Sequence, residues 1–256
     1  MRLLLINPNT TPEITDLVAR HARRILRDEA EITAVTGRFG ARYVAGRAAY
    51  AVASHAALDA CAEHGQGHDA VLLACFGDPG LEALKEISPV PVVGMAEASC
   101  HMACLLGRRF AIVTGGERWG PMLQDFVAAQ GLSPRIAAIR TVAPSGAAIA
   151  GDPDGAMQVL AEACRSCAEK DGADVVVLGG AGLAGLADRV AERAGVPVIC
   201  SLEAGLRATI AAARLGFGQP PDSVATAASA GVDSVGLSEA LTRALAYPQR
   251  IASRSP

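Results

Sequence analysis

Only two lysines, Lys85 and Lys170, occur in 256 residues, and both fall late on expected surface helices rather than at strand ends. A pyridoxal cofactor needs a Schiff-base lysine, so that chemistry is set aside. No stretch reaches the roughly 18 uninterrupted apolar residues of a spanning helix. Nor is there a charged leader with an apolar h-region and cleavage site, so no secretory signal is expected. Net charge is −3 with the signs mixed, which gives no reason to expect a nucleic acid or a membrane surface as partner. The seven cysteines (61, 75, 100, 104, 164, 167 and 200) are odd in number and form no disulfide framework, which points to a reducing cytoplasm. His64 and His68 lie in a glycine-rich loop without a third ligand, and Cys100/Cys104 and Cys164/Cys167 fall at helical spacing. No metal site is expected. Aromatics make up 4% against 51% hydrophobic residues overall, and an Ala/Val/Leu-rich chain of this kind suits parallel sheets packed under helices.

What is present is a repeat. Residues 71–81 (VLLACFGDPGL) lead to 90–98 (VPVVGMAEA), and both have twins at 176–186 (VVLGGAGLAGL) and 196–204 (VPVICSLEA). The offset is 105 between Cys75 and Gly180 and 106 between Glu97 and Glu203. The strand starts at Arg2 and Arg109 match in the same way. The expected fold is therefore α/β with two pseudo-symmetric lobes, each a parallel sheet of about four strands flanked by helices, and a cleft between them. Residues 1–98 with 208–256 are assigned to the first lobe and 99–207 to the second.

Strands are expected at 3–6 and near 31–36, 69–75, 90–95, 109–114, 136–142, 174–178 and 196–200. Helices fill 47–63, 80–87, 97–106, 119–130, 154–170, 184–194 and 202–214, after a first helix that begins at Pro12 with Thr11 as its cap. A Gly/Pro-rich link at 217–222 leads to a last helix near 237–246, and 251–256 reads as a frayed end.

Ligands of open α/β sheets bind beyond the carboxyl ends of the strands, so those loops are the ones to read. Cys75 stands at such an end, just before a helix start whose amides favour thiolate. A thiolate there can abstract a carbon-bound proton or attack a carbonyl; the alternative is a buried cysteine acting as a small hydrophobe. Asn7, Asn9 and Thr10 follow the first strand and suit a ligand carboxylate or imide oxygen, or serve only as turn and cap residues. Thr114 and Gly115 hold the matching place in lobe two, with Glu117 and Arg118 beside them as a solvated turn. Gly180, Gly182 and Gly185 fit a dinucleotide fingerprint, but the next strand lacks an acid for the ribose and the loop mirrors Cys75 to Gly80. Glu97 and Glu203 read as helix-start carboxylates. His55 and His101 fall within helices, with a supporting role left open for His101.

The set NPNT at 7–10, ACFGDPGL at 74–81, VGMAEA at 93–98 and LGGAGL at 178–183 resembles the Asp/Glu/hydantoin racemase superfamily, and most of all its hydantoin and allantoin racemase branch. The likeness runs from residue 3 to about 210. It implies a cofactor-independent isomerase in which one cysteine from each lobe works on opposite faces of an acidic carbon. Cys75 matches the first of these, and Asn9 and Thr114 fall in segments that hold substrate in that family. The second cysteine is expected where this chain has Gly180.

Under the repeat, Cys200 stands at the strand end beside Gly180. Neighbouring strand ends lie about 5 Å apart, so Cys200 is the expected replacement acid/base. Asn7, Asn9, Thr10, Phe76, Gly77, Thr114, Gly115, Gly180 and Ala181 are expected to hold the substrate, with backbone donors on the enolate charge. The expected partners are a small-molecule substrate and further copies of the chain in a homo-oligomer. Two other readings stay open: a one-cysteine lyase resembling the arylmalonate decarboxylases, whose cysteine lies in the second lobe, and a non-catalytic small-molecule binder.

Overall fold

The computed structural model describes residues 1–216 and 232–246; the link expected at 217–222 and the tail at 251–256 lie outside the described residues. Strands β1 (Arg2–Asn7), β2 (Glu31–Thr36), β3 (Ala70–Leu73) and β4 (Val92–Gly94) form one parallel sheet in the order β2-β1-β3-β4. Strands β5 (Phe110–Gly115), β6 (Ile136–Val142), β7 (Val175–Gly179) and β8 (Val198–Cys200) form a second in the order β6-β5-β7-β8. The two orders are identical under the repeat, so the α/β class and the paired four-stranded sheets are as the sequence indicates. The central strands β1, β3, β5 and β7 are buried nearly throughout, as continuous Leu/Ile/Val runs covered on both faces must be.

Helices α1 (Pro12–Leu26), α2 (Arg47–His64), α3 (Leu81–Ile87), α4 (Met95–Leu106) and α5 (Trp119–Ala129) are followed by α6 (Gly146–Gly151), α7 (Pro153–Asp171), α8 (Ala187–Ala194), α9 (Ser201–Leu215) and α10 (Glu239–Ala246). Helix α6 has no counterpart in the sequence reading. It is started by Ser145, whose hydroxyl accepts from the Ala148 amide at 3.2 Å. Thr11 holds the cap position of α1, but its hydroxyl donates to the Arg42 carbonyl at 2.6 Å and makes no cap bond.

Helices α4 and α9 cross between the lobes. α4 leaves sheet one and packs on β7, while α9 leaves sheet two and packs on β3 and β4, and the two helices lie against each other. The strand pleat sorts the side chains accordingly. Leu3, Leu5, Leu72, Phe110, Ile112 and Val177 join Met95, Cys100, Leu202 and Leu206 in one core shared by both sheets. Leu4, Ile6, Val71 and Leu73 face a separate outer core, and Val113, Val176 and Leu178 face another. Each fully buried Leu or Ile contributes about 1.5–3 kcal/mol, so the shared core contributes to holding the two lobes together.

Candidate active site

The carboxyl ends of β1, β3, β5 and β7 meet at a cleft with an empty volume of about 510 Å³. Cys75 lies two residues beyond the end of β3 and is 8% exposed. Phe76, Asn9, Thr114, Gly115, Gly180 and Ala181 line the same space. Its walls are completed by Ile14, Val44, Trp119 and Leu183, and no charged side chain lines it among the described residues.

Hydrogen bonds fix the polar groups. Asn9 Oδ1 accepts from Asn7 Nδ2 at 3.0 Å and from the Thr11 amide at 2.9 Å. Two donors on the oxygen set the orientation of the amide and leave Asn9 Nδ2 for the cleft. Asn7 does not line the cleft; it is fully buried and also donates to Thr15 Oγ1 at 2.9 Å. Thr10 also lies outside the lining, and its amide donates to the Ala41 carbonyl at 3.1 Å.

Gly77 turns away into a neighbouring groove, where its carbonyl accepts from Tyr50 Oη at 2.8 Å. Asp78 is buried behind the same loop, and its two oxygens accept from the Ala96 and Glu97 amides at 2.9 and 2.7 Å. The catalytic-loop candidate is thereby tied to the start of α4. Burial and the nearby Glu97 raise Asp78 to about 7 against the pull of those two amides.

The expectation of a thiolate at Cys75 is corrected. α3 begins only at Leu81, six residues beyond Cys75. Burial and then the Asp78 carboxylate push the thiol up to about 12. Cys75 is a protonated thiol near neutral pH.

Gly180 sits opposite, at the end of β7. Its φ of +136° is a backbone that side-chain-bearing residues rarely adopt, and a Cβ there would lie 3.1 Å from Leu183 Cδ1. β7 and β8 are neighbours, but Cys200 is registered with Leu178, two residues short of Gly180. The group beside Gly180 is Ser201, whose hydroxyl accepts the Gly180 amide at 3.2 Å. Cys200 is half-buried, packs against the apolar cores on both sides of its strand, and does not line the cleft.

The sequence reading did not anticipate Tyr43, Trp119, Gly146 and Ala147 as cleft residues. Tyr43 follows β2, and Gly146 and Ala147 follow β6. The strand-end rule, which singled out the loops after β1, β3, β4, β5, β7 and β8, reaches Tyr43, Gly146 and Ala147 once applied to the outer strands β2 and β6, and Trp119 directly follows the β5 loop.

The sequence model of the Asp/Glu/Hydantoin racemase family matches residues 3–209. The chain belongs to this family. Hydantoin racemase of Paenarthrobacter aurescens is 35% identical over 219 residues, covering 85% of this chain and 93% of that protein. The crystal structure of allantoin racemase from Pseudomonas fluorescens superposes with a TM-score of 0.87 at 32% identity, over 92% of this chain and all of that one. Arylmalonate decarboxylase shares the fold, with a TM-score of 0.61 at 21% identity over 85% of this chain and 94% of its own. As a member of the Asp/Glu/hydantoin racemase family the chain is a racemase, an isomerase. Among its described residues no helix is long and apolar enough to cross a membrane.

Proposed function

We propose that this racemase acts, without a cofactor, on neutral cyclic ureides such as 5-substituted hydantoins or allantoin, with Cys75 exchanging the proton on one face of the acidic ring carbon. The observation that carries this reading is the absence of any charged side chain from the described cleft lining, which nonetheless contains a thiol, a free amide NH₂ and a hydroxyl. Burying an unpaired carboxylate costs several kcal/mol, so aspartate, glutamate or a malonate would enter such a cleft without a counter-charge. A cyclic ureide has only neutral carbonyl and N–H groups to satisfy.

As the ring C–H bond breaks, charge collects on an adjacent carbonyl oxygen. On this reading Asn9 Nδ2, Thr114 Oγ1 and loop amides of the cleft lining donate to it. The neutral Cys75 thiol is suited to return a proton to the carbanion. As a base it works from its minority thiolate form, which a dry cleft makes more basic.

Proton exchange followed by NMR in deuterium oxide tests this, with optical rotation recorded in parallel on hydantoins, allantoin, aspartate and glutamate. The neutral ureides exchange and lose optical activity; the two amino acids do neither. Faster turnover of aspartate or glutamate, or release of carbon dioxide from a malonate, overturns the reading.

A further inference from the structure

Racemisation needs proton transfer on both faces of the carbon, and Gly180 supplies no group on the lobe-two face. Among the described residues that line the cleft, only two carry a side-chain proton that titrates: Cys75 and Tyr43. We propose that Tyr43 is the proton-carrying residue on the lobe-two face, in place of the thiol that Gly180 lacks. This rests on the racemase mechanism given above for Cys75.

The placement of Tyr43 carries the argument. It belongs to lobe one by sequence, in the loop after β2, yet its phenol is held by lobe two. The hydroxyl donates to the Gly115 carbonyl at 3.1 Å and accepts from the Gly146 amide at 3.3 Å. A Cβ built on Gly146 lies 3.6 Å from the Tyr43 ring and 3.9 Å from Leu183 Cδ1, the same Leu183 atom that faces Gly180. The phenol therefore stands on the wall that holds Gly180, in the cleft that Cys75 also lines.

The surroundings suit a proton shuttle. Burial raises the phenol above its usual value, the Gly146 amide and the Trp119 indole act the other way, and charge on Cys75 raises it again, so the phenol keeps its proton while Cys75 is thiolate. No lysine, arginine, aspartate or glutamate among the described residues lines the cleft beside it.

The step balances without a further reagent. Cys75 thiolate takes the proton from one face, and the C–H electron pair passes into the enolate. Tyr43 O–H then gives its proton to the opposite face, a new C–H bond forms and the phenolate is left on the Gly146 amide. Proton exchange with solvent after product release restores thiolate and phenol; the reverse reaction starts from thiol and phenolate.

The test uses the full-length protein and single enantiomers of 5-methylhydantoin and of allantoin in deuterium oxide at neutral pH. Wild type exchanges and inverts both hands. Tyr43→Phe loses about 10²–10⁴-fold of the racemisation rate but still exchanges, with retention, the hand whose hydrogen faces Cys75. Cys75→Ser loses exchange of that hand. Replacement of Tyr43 by 3-fluorotyrosine, a more acidic phenol of nearly the same shape, moves one limb of the racemisation pH profile to lower pH, which a purely structural tyrosine would not do.

Racemisation by Tyr43→Phe at the wild-type rate overturns the proposal. Equal loss of exchange for both hands in that variant, with an unmoved pH profile for the fluorotyrosine protein, also overturns it and leaves Tyr43 as a strut. Absence of exchange in wild type removes the Cys75 mechanism itself, and this proposal with it.

Discussion

The two lobes share a strand order and a pair of crossing helices, and differ in the loops that face the cleft. In lobe one the loop after β3 carries a thiol and is braced by polar groups: Tyr50 on the Gly77 carbonyl, Asp78 on the start of α4, and Glu97 paired with Lys85 at 2.5 Å. In lobe two the loop after β7 is glycine-rich and apolar, with a short 3₁₀ turn over Ala181–Leu183 and the Ser201 hydroxyl on the Gly180 amide. Glu203, the partner of Glu97 under the repeat, only pairs with Arg207 one turn on at 3.6 Å. The repeated scaffold keeps its strand order, while the loops that face the cleft differ in polarity.

The comparison can be broken most sharply at Cys75. Cys75→Ser, which keeps the shape but supplies a far weaker acid, is expected to lower proton exchange at its face by about 10²–10⁴-fold. Wild-type exchange by the serine variant would move the chemistry to the other lobe.

Second in size is the backbone at Gly180. Gly180→Ala is expected to cost about 1–3 kcal/mol because its φ is positive, with crowding against Leu183 in addition. Denaturant unfolding that matches wild type would show that the lobe-two loop can relax into an ordinary conformation.

Third, Asp78 gives lobe one a pH dependence that Leu183, its counterpart, cannot give lobe two. The folded carboxyl titrates near 7, against an ordinary 3.8. Between those values the folded state holds the proton more tightly than the unfolded state, so stability falls as pH rises through this window. The difference in unfolding free energy between wild type and Asp78→Asn should therefore change between about pH 4 and pH 7 and be flat above. A difference that is constant over that range would contradict the shift.

Tyr50→Phe removes the hydroxyl from the Gly77 carbonyl and is expected to cost about 0.5–1.5 kcal/mol, with a larger effect on turnover than on substrate binding because it loosens the thiol loop. The smallest effect is expected for Cys200→Ala, which should leave exchange and racemisation unchanged. A loss of inversion there would restore Cys200 as the group on the second face.

Much of this was legible before the fold was known. Uninterrupted β-branched and leucine runs such as Leu3–Ile6 and Val175–Leu178 read as buried strands, and the recurrence of such segments at an offset of 105 to 107, with proline-led partners at Pro91 and Pro197, indicates two equivalent sheets. Cys75 was legible because a strand-to-loop junction is a local feature. Element type and strand-end position follow from neighbouring residues along the chain, so most of both could be read from local patterns.

Tertiary structure alone decided which side chains meet. Cys200 was placed beside Gly180 by the repeat, but the pairing of β8 with β7 stops at Leu178 and puts Ser201 there instead. Tyr43 lies 72 residues from Gly115 and 103 from Gly146 along the chain, yet bonds to both. The thiol was expected to be acidified by a helix start, but Cys75 is buried ahead of that helix beside a carboxylate that raises it. The first two outcomes depend on register and contact between segments distant in sequence, and the third on burial that the assembled sheets create. No local period encodes them, because their energy arises only when the two sheets close on a common core.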